Sequence, residues 1–310
     1  MSDIVIAEFM DKAAIDAVFA GRDVLYDPKL VDDPKRLHAA LKDARALLVR
    51  NRTQVRGALL DAAPLLKVVG RLGVGLDNID IDACEARNIT VRPATGANDL
   101  SVAEYVITAA LLLRRRAWYG SARVIAGEWP RMEMIGAELS GAQLGLIGFG
   151  AIARLTAAKA SALGMRVAAF DPLLPNDHPA WAGAARVSFE TLLTESDVVS
   201  LHTPLTPKTR RMMDAGALKR MKPGAILVNA ARGGIVDEAA LAAALSSGHI
   251  GGAALDVFET EPLTAAAAEI FKGIANLILT PHIAGVTEES NVRVSSVTAR
   301  AVMQVLEAKG

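Results

Sequence analysis

A glycine-rich turn and an acidic residue downstream of it carry the most legible chemistry in the sequence. Gly148-Phe149-Gly150-Ala151-Ile152-Ala153 follows the apolar run at 144–147 and opens a helical pattern, the context that a G-x-G-x-x-G/A dinucleotide-binding turn requires. In such a turn Gly148 makes the tight bend and Gly150 lets a pyrophosphate approach the backbone. Ala153 still lets the helix pack closely on the strand, and the helix N-terminus offers N–H groups and a positive dipole to phosphates. Glycine turns between strand and helix are common, so the turn alone is weak evidence. Asp171 strengthens it. It follows the strand-like run 166–170, 18 residues after Ala153, where a carboxylate accepts ribose hydroxyls and repels a 2′-phosphate. That points to NAD rather than NADP. The competing reading of Asp171 is the start of an Asp-Pro turn with Pro172.

Such a turn needs a parallel sheet behind it. Residues 1–92 alternate short apolar runs (4–7, 25–26, 46–49, 66–69 and 89–91) with helical segments such as 54–63 and 79–87. The alternation restarts with strand-like runs at 144–147, 166–170, 185–187, 198–201, 225–228, 253–256 and 277–279, and helices such as 152–163 and 238–245 between them. Strands alternating with helices of about ten residues mean βαβ units. The reading is α/β with two doubly wound parallel-sheet units. Between them 101–116 reads as an apolar bridging helix, with Ser101 as N-cap, Glu104 three residues on, and Arg114, Arg115 and Arg116 at the C-terminal end where a helix favours cations. A last helical pattern, 288–308, has no strand left to precede and is expected to pack back on the first unit, with hinges near 95–100 and 284–287. The alanine-rich stretch 263–269 reads as a turn of surface helix.

Composition agrees with two compact domains. The chain has 310 residues, 52% apolar and 22% charged, so each half can bury a core of its own. Thirty-four basic residues balance thirty-four acidic ones, which leaves no electrostatic footprint for nucleic acid or an anionic membrane. Cys84 is the only cysteine, so no intramolecular disulfide and no CxxC zinc or redox site exists, no metal is called for, and a reducing compartment fits. Asp3 and Glu8 bracket a short apolar run at the amino terminus, unlike a secretory signal. A cytoplasmic protein is the expectation.

Several blocks, in order, resemble the D-isomer-specific 2-hydroxyacid dehydrogenases, the family of phosphoglycerate, glycerate and D-lactate dehydrogenases. They are Val74-Gly75-Leu76-Asp77-Asn78-Ile79-Asp80, Ser101-Val102-Ala103-Glu104, the glycine turn with Asp171, and His202-Thr203-Pro204-Leu205-Thr206-Pro207. Met221-Lys222-Pro223-Gly224 running into Asn229-Ala230-Ala231-Arg232-Gly233, Leu255-Asp256-Val257-Phe258-Glu259-Thr260-Glu261-Pro262 and Thr280-Pro281-His282-Ile283 complete the set. The resemblance covers almost the whole chain. It implies a Rossmann NAD-binding domain, 99–284, and a flavodoxin-like substrate domain built from 1–98 and 285–310, with a homodimer formed through the NAD domains. The chain stops at Gly310, so the regulatory domain of some phosphoglycerate dehydrogenases, and feedback by serine through it, are not expected.

The family's roles carry over block by block. Arg232 resembles the arginine that grips the substrate carboxylate and keto oxygen, a bidentate task suited to its planar fork. His282 resembles the general acid/base, because an imidazole exchanges protons near neutrality. Glu261 resembles the carboxylate that orients that histidine and favours its protonated form. The resemblance also puts Ala151 and Ile152 at the pyrophosphate, Asp171 at the adenine ribose, Thr203 beside the cofactor, and Ala230 and Asp256 near the nicotinamide amide. The Val74-Gly75 backbone would bind the substrate carboxylate as a small anion nest. Taken singly, each of these residues has a plainer alternative: a surface arginine, a solvated glutamate before proline, a satisfied loop histidine.

Arg50 resembles the arginine of relatives that handle phosphorylated acids, against the plainer reading of an exposed strand end. Period-2 alternation would put Arg50 and Arg52 on one side of the strand if it runs that far. Two cations suit a 2-hydroxy acid with a second anionic group, and the Val49-to-Val55 and Val74-to-Asp80 blocks look similar to the sulfolactate dehydrogenases within the family. Three other outcomes compete. One is a reductase of glyoxylate or hydroxypyruvate. Another is a formate dehydrogenase, for which the resemblance would call for glutamine where Glu261 stands. The third is an NAD-sensing co-regulator or binding module, for which no charge tract advertises a groove. Trp118, Tyr119, Trp129, Met132 and Met134 read either as ordinary core or as a dimer arm, since Trp and Met are enriched at interface centres.

Overall fold

The computed structural model describes residues 2–116 and 118–308 and divides the chain into two units, 1–98 with 286–310 and 99–285. In the first unit the strands are β1 (Ile4–Ile6), β2 (Val24–Tyr26), β3 (Ala46–Val49), β4 (Val68–Arg71) and β5 (Thr90–Pro93). All pair in parallel in the order β2-β1-β3-β4-β5, the flavodoxin-like doubly wound order. The strands β1 and β3 are buried along their whole length, which is why they read as unbroken apolar runs rather than as alternation. The C-terminal helix Glu288–Glu307 opens on a capping box of Thr287 and Ser290 and buries Val294, Ala299, Val302 and Leu306 against Ile4, Ile6, Leu48 and Val68. It packs back on the first unit.

The second unit holds β6 (Gln143–Ile147), β7 (Arg166–Phe170), β8 (Ala185–Arg186), β9 (Val198–Leu201), β10 (Ile226–Asn229), β11 (Gly252–Leu255) and β12 (Leu277–Leu279). Their order, β12-β11-β10-β9-β6-β7-β8, is again all parallel. It is the Rossmann order with one strand added, and the direction of winding reverses between β6 and β9, where such sheets bind ligands.

Three local expectations fail for identifiable reasons. The helix expected over 54–63 is only Ala58–Asp61, because Val55 is taken by a parallel bridge to Ile79 and Gly57 turns the chain at φ +48°. Leu66 is not in a strand: its N–H closes a turn on Ala63, and β4 begins two residues later. Ser101 is not an N-cap. The bridging helix starts at Asp99, whose carboxylate stands in the first turn, and Ser101 is buried inside it. The aromatic and methionine residues after this helix do not form a core either. Trp118 and Tyr119 meet edge to face at 5.6 Å, but Trp129 is 80% and Met132 76% exposed, and Ile125 nearby reaches 86%.

Candidate active site

Every residue of the second unit that the sequence singles out for chemistry lies at the carboxyl end of a strand: the glycine turn after β6, Asp171 after β7, Thr203 after β9, Ala230 and Arg232 after β10, Asp256 and Glu261 after β11, and His282 after β12. Parallel strands point all their exits the same way, so the topology alone gathers these side chains at one edge.

His282 and Glu261 are in contact, Nδ1 to Oε2 at 2.8 Å. The second oxygen of Glu261 accepts the N–H of Phe258 at 3.0 Å. Burial raises the affinity of Glu261 for a proton, but the hydrogen bonds from His282 and Phe258 and the charges of His282 and Arg232 outweigh it and hold the carboxyl below its usual range. An ionised carboxylate only accepts, so Nδ1 carries the hydrogen and Nε2 is the nitrogen left to exchange protons. His282 sits in left-handed backbone at φ +57°, a conformation that costs energy and persists only where the surroundings impose it. Here they do, because its N–H donates to the carbonyls of Asp256 and Thr280 at 2.8 and 3.0 Å.

Asp256 is the anchor of that loop. It is 1% exposed; Oδ1 accepts the Thr280 hydroxyl at 2.6 Å and the Ile283 N–H at 2.8 Å, and Oδ2 accepts the Ala284 N–H at 2.8 Å. Burial raises its pKa despite these donors and the charge of His282. Thr280 spends its hydrogen on Asp256, so the Tyr105 hydroxyl, 2.6 Å away, donates to Thr280. Burial and the Asp256 charge push the phenol up to about 12, against the hydrogen bond with Thr280. A hydrogen-bonded line thus runs from the bridging helix to both flanks of His282.

Arg232 lies in a turn held by Asn229, whose side chain donates to the Arg232 carbonyl at 2.9 Å and accepts the Ala231 N–H at 3.1 Å. Nη1 of Arg232 donates to the Ala231 carbonyl at 2.6 Å. Gly233 makes the turn fit, since a Cβ there would overlap the carbonyl oxygen of Phe258. The loops bearing Arg232 and Glu261 are therefore in backbone contact.

The dinucleotide turn passes a test of its own. Gly148 takes φ +88°, and a Cβ on it would stand 2.5 Å from the His202 carbonyl, which ties the turn to the loop bearing Thr203. A Cβ on Gly150 would meet nothing within 4 Å, so glycine at this position serves no packing need and instead keeps room open. The helix Ala151–Ala162 has no side-chain cap, and its first intrahelical bond is Arg154 N–H to the Gly150 carbonyl, so the N–H groups before it suit a bound pyrophosphate. Asp171 fulfils the turn reading and also reaches the glycine turn. Oδ1 accepts the N–H groups of Leu173 and Leu174, as a turn-starting aspartate does, and Oδ2 accepts the Phe149 N–H at 2.8 Å, stapling the strand end to the glycine turn. Of about four acceptor positions on a carboxylate, one on Oδ2 is left.

In the first unit, Arg50 and Arg52 do not share a strand face, because β3 ends at Val49 and both lie in the loop beyond it. Arg50 donates from Nε to the Phe9 carbonyl at 2.7 Å and from Nη2 to Asn291 Oδ1 at 2.9 Å, and its guanidinium lies 5.1 Å from the centre of the Phe9 ring. Arg52 turns away to an exposed ion pair with Asp32, so the two cations expected side by side are reduced to one. Val74 and Gly75 lie in an irregular, half-buried loop after β4, and among the described residues their N–H groups donate to no protein acceptor.

With this geometry in hand, the relatives are decisive. The model for the NAD-binding domain of the D-isomer specific 2-hydroxyacid dehydrogenases matches residues 107–284. The chain belongs to that family. It is 54% identical to the (S)-sulfolactate dehydrogenase of Chromohalobacter salexigens over 99% of both chains. It is 41% identical to the D-3-phosphoglycerate dehydrogenase of Mycobacterium leprae, covering 98% of this chain but 57% of that relative's length. Among solved structures, D-lactate dehydrogenase from Aquifex aeolicus, complexed with NAD and lactic acid, matches 98% of this chain and 95% of its own at 29% identity and a TM-score of 0.87. The protein is an NAD-dependent hydroxyacid dehydrogenase.

Sequence reading of this family member leaves out the residues that hold the named ones. Thr280 and Asn229 stand inside family blocks and Tyr105 directly follows one, and motif resemblance gives none of the three a task. Glu8 and Asn78 bracket the Arg50 loop, and the only signal for Glu8 is an acid set directly against an apolar strand. His202 is a further case: burial pushes its imidazole down to about 4, and its Nε2 is 3.0 Å from the Ser200 hydroxyl, so it is a neutral structural histidine.

Proposed function

We propose that this dehydrogenase interconverts a small D-2-hydroxy acid bearing a second anionic group, of the sulfolactate type, with its 2-keto acid. The observation that carries the reading is the 2.8 Å contact of His282 with an ionised Glu261, in a chain whose 54% identical relative is named for sulfolactate. The (S) descriptor of that relative's substrate agrees with a D-specific family. The sulfonate-bearing carbon outranks the carboxyl carbon, because sulfur outranks oxygen at the first difference, so (S)-sulfolactate has the spatial arrangement of D-lactate.

NAD supplies the hydride acceptor for oxidation and, reduced, the hydride donor for reduction. The chain does the rest. In reduction His282 Nε2 gives a proton to the substrate oxygen, and in oxidation it takes that proton from the hydroxyl, with Glu261 keeping the imidazole oriented throughout. Arg232 pairs with the substrate carboxylate and polarises the keto oxygen. Val74 and Gly75 offer N–H groups to the carboxylate, and Arg50 takes the second anion. For the cofactor, Gly148, Gly150, Ala151 and Ile152 take the pyrophosphate. The remaining Oδ2 position of Asp171 takes a ribose hydroxyl and excludes a 2′-phosphate. Thr203 and Ala230 line the cofactor, and the one acceptor position left on Asp256 suits the nicotinamide amide. Unit 99–285 is then the NAD domain, and the remainder is the substrate domain.

We assign the enzyme to the cytoplasm, where its buried thiol Cys84 stays reduced, and to a homodimer. The exposed Ile125, Trp129 and Met132 support the dimer, and light scattering should give about twice 32.6 kDa; a clean monomer mass would reject it. The substrate reading is tested with NADH and a panel of sulfopyruvate, phosphohydroxypyruvate, hydroxypyruvate and glyoxylate. Sulfopyruvate should give the highest kcat/KM, and a preference for glyoxylate would overturn the reading.

A further inference from the structure

Glu8 follows β1 and is 4% exposed, a burial that a carboxylate tolerates only with full hydrogen bonding. Its donors all come from one loop. Oε1 accepts the N–H groups of Arg50 and Thr53 at 2.9 and 3.0 Å, and Oε2 accepts that of Arg52 at 3.3 Å. Backbone N–H groups converging in this way form an anion nest, and here the chain's own carboxylate fills it. From the other side, Asn78 Nδ2 donates to the carbonyls of Arg50 and Thr53 at 2.9 and 2.7 Å. A four-residue loop with no ladder partner is therefore held by its N–H groups and its carbonyls at once.

The outcome of this clamp is the attitude of Arg50. Its backbone is fixed at both N–H and C=O, its Nε and Nη2 are anchored on Phe9 and Asn291, and the Phe9 ring lies beside the guanidinium. Of five N–H donors on a guanidinium, two are used in these contacts, which leaves the Nη1 edge to meet oxygens of an anion. Burial disfavours the charge of Arg50, and the Glu8 carboxylate works against that loss. Glu8 holds Arg52 by the same device, yet Arg52 goes to Asp32 on the surface. The clamp serves one cation.

We infer that Glu8, seconded by Asn78, is the positioning residue that sets the preference for a two-anion acid by presenting Arg50; this rests on the reading of Arg50 as the second-anion ligand. The variant Glu8→Gln keeps the shape but replaces one acceptor oxygen with an amide donor, so at least one N–H of the loop loses its partner. The readout is the ratio of kcat/KM for sulfopyruvate to that for pyruvate, which lacks the second anion. Glu8→Gln should lower the ratio about tenfold, chiefly through KM for sulfopyruvate, as expected for one or two charge-assisted hydrogen bonds. Arg50→Ala should lower it at least as far. If Glu8→Gln does not fold, Glu8→Asp keeps the charge but is one methylene short, and should lower the ratio by a smaller factor. A ratio unchanged in the Glu8 variants while Arg50→Ala collapses it refutes the role of Glu8, as does an equal fall for both acids. A ratio unchanged in Arg50→Ala refutes the reading of Arg50 itself.

Discussion

In the NAD-binding unit, Asp256 follows β11 and gathers the loop that leaves the neighbouring strand β12; in the other unit, Glu8 follows β1 and gathers the loop that leaves its neighbour β3. The pairing register makes this reach natural. Leu255 pairs with Leu279 and Ile6 with Leu48, so each carboxylate comes out level with the first residues of the next strand's exit loop. A loop bearing a functional side chain has left the ladder that held its strand, and an acceptor-only carboxylate is well suited to take up its free N–H groups. The two sites differ in what else they recruit. Asp256 takes a hydroxyl as well as N–H groups, and through Thr280 it reaches Tyr105 on the bridging helix. Glu8 takes only backbone. The lesson is that one device holds both the imidazole proposed for proton transfer and the guanidinium proposed for recognition, and the two should break differently.

The largest effect belongs to His282→Asn, which should lower kcat by about 10²–10⁴-fold while NADH still binds by fluorescence titration; retention of a tenth of the original kcat would sink the assignment. Arg232→Lys should raise KM and lower kcat together, because a point charge cannot reproduce the fork, and an unchanged kcat/KM would remove Arg232 from the site. Asp171→Ala should shift the NAD-to-NADP selectivity about tenfold towards NADP. A ratio that does not move would mean that the ribose lies elsewhere.

Smaller effects test the supports. Tyr105→Phe removes a donor to Thr280, so thermal melts should show a loss of about 1 kcal/mol, with kcat within tenfold of the parent; an undiminished Tm would remove Tyr105 from the network. His202 gives a pH dependence. Its folded pKa, about 4, lies below the ordinary 6.5, so between those values the unfolded chain binds more protons and stability falls as pH falls. The shift is worth about 2 kcal/mol once partial exposure of the residue is allowed for. His202→Asn should flatten the Tm profile across that window, and an unaltered acid limb would show that another group governs it.

Much of this was legible in the sequence because parallel strands buried on both faces appear as short apolar runs, and because residues at their exits fall into contiguous blocks. The run 166–170 matched its strand, and Glu261 and His282, which the fold brings into contact, each stand in one block. Contacts between distant positions were not legible. Glu8 acts on residues 42 to 45 positions away, Asn291 on one 241 away, and Tyr105 on one 175 away, and no local pattern marks a carboxylate that will be satisfied by another strand's loop. Boundaries failed where tertiary contacts overrode local pattern, as when the bridge of Val55 to Ile79 shortened a helix. Arg52 misled because alternation describes a strand, and the strand had ended.

The most direct test of the account sets Asp256→Asn beside Glu8→Gln and measures kcat/KM for sulfopyruvate and pyruvate in both. Asp256→Asn should lower the two values in proportion, by about tenfold or more, because it loosens the loop that carries His282, the residue proposed to transfer the proton for either acid. Glu8→Gln should lower the sulfopyruvate value alone. A changed ratio in Asp256→Asn, with an unchanged ratio in Glu8→Gln, would contradict the division of labour between the two carboxylates.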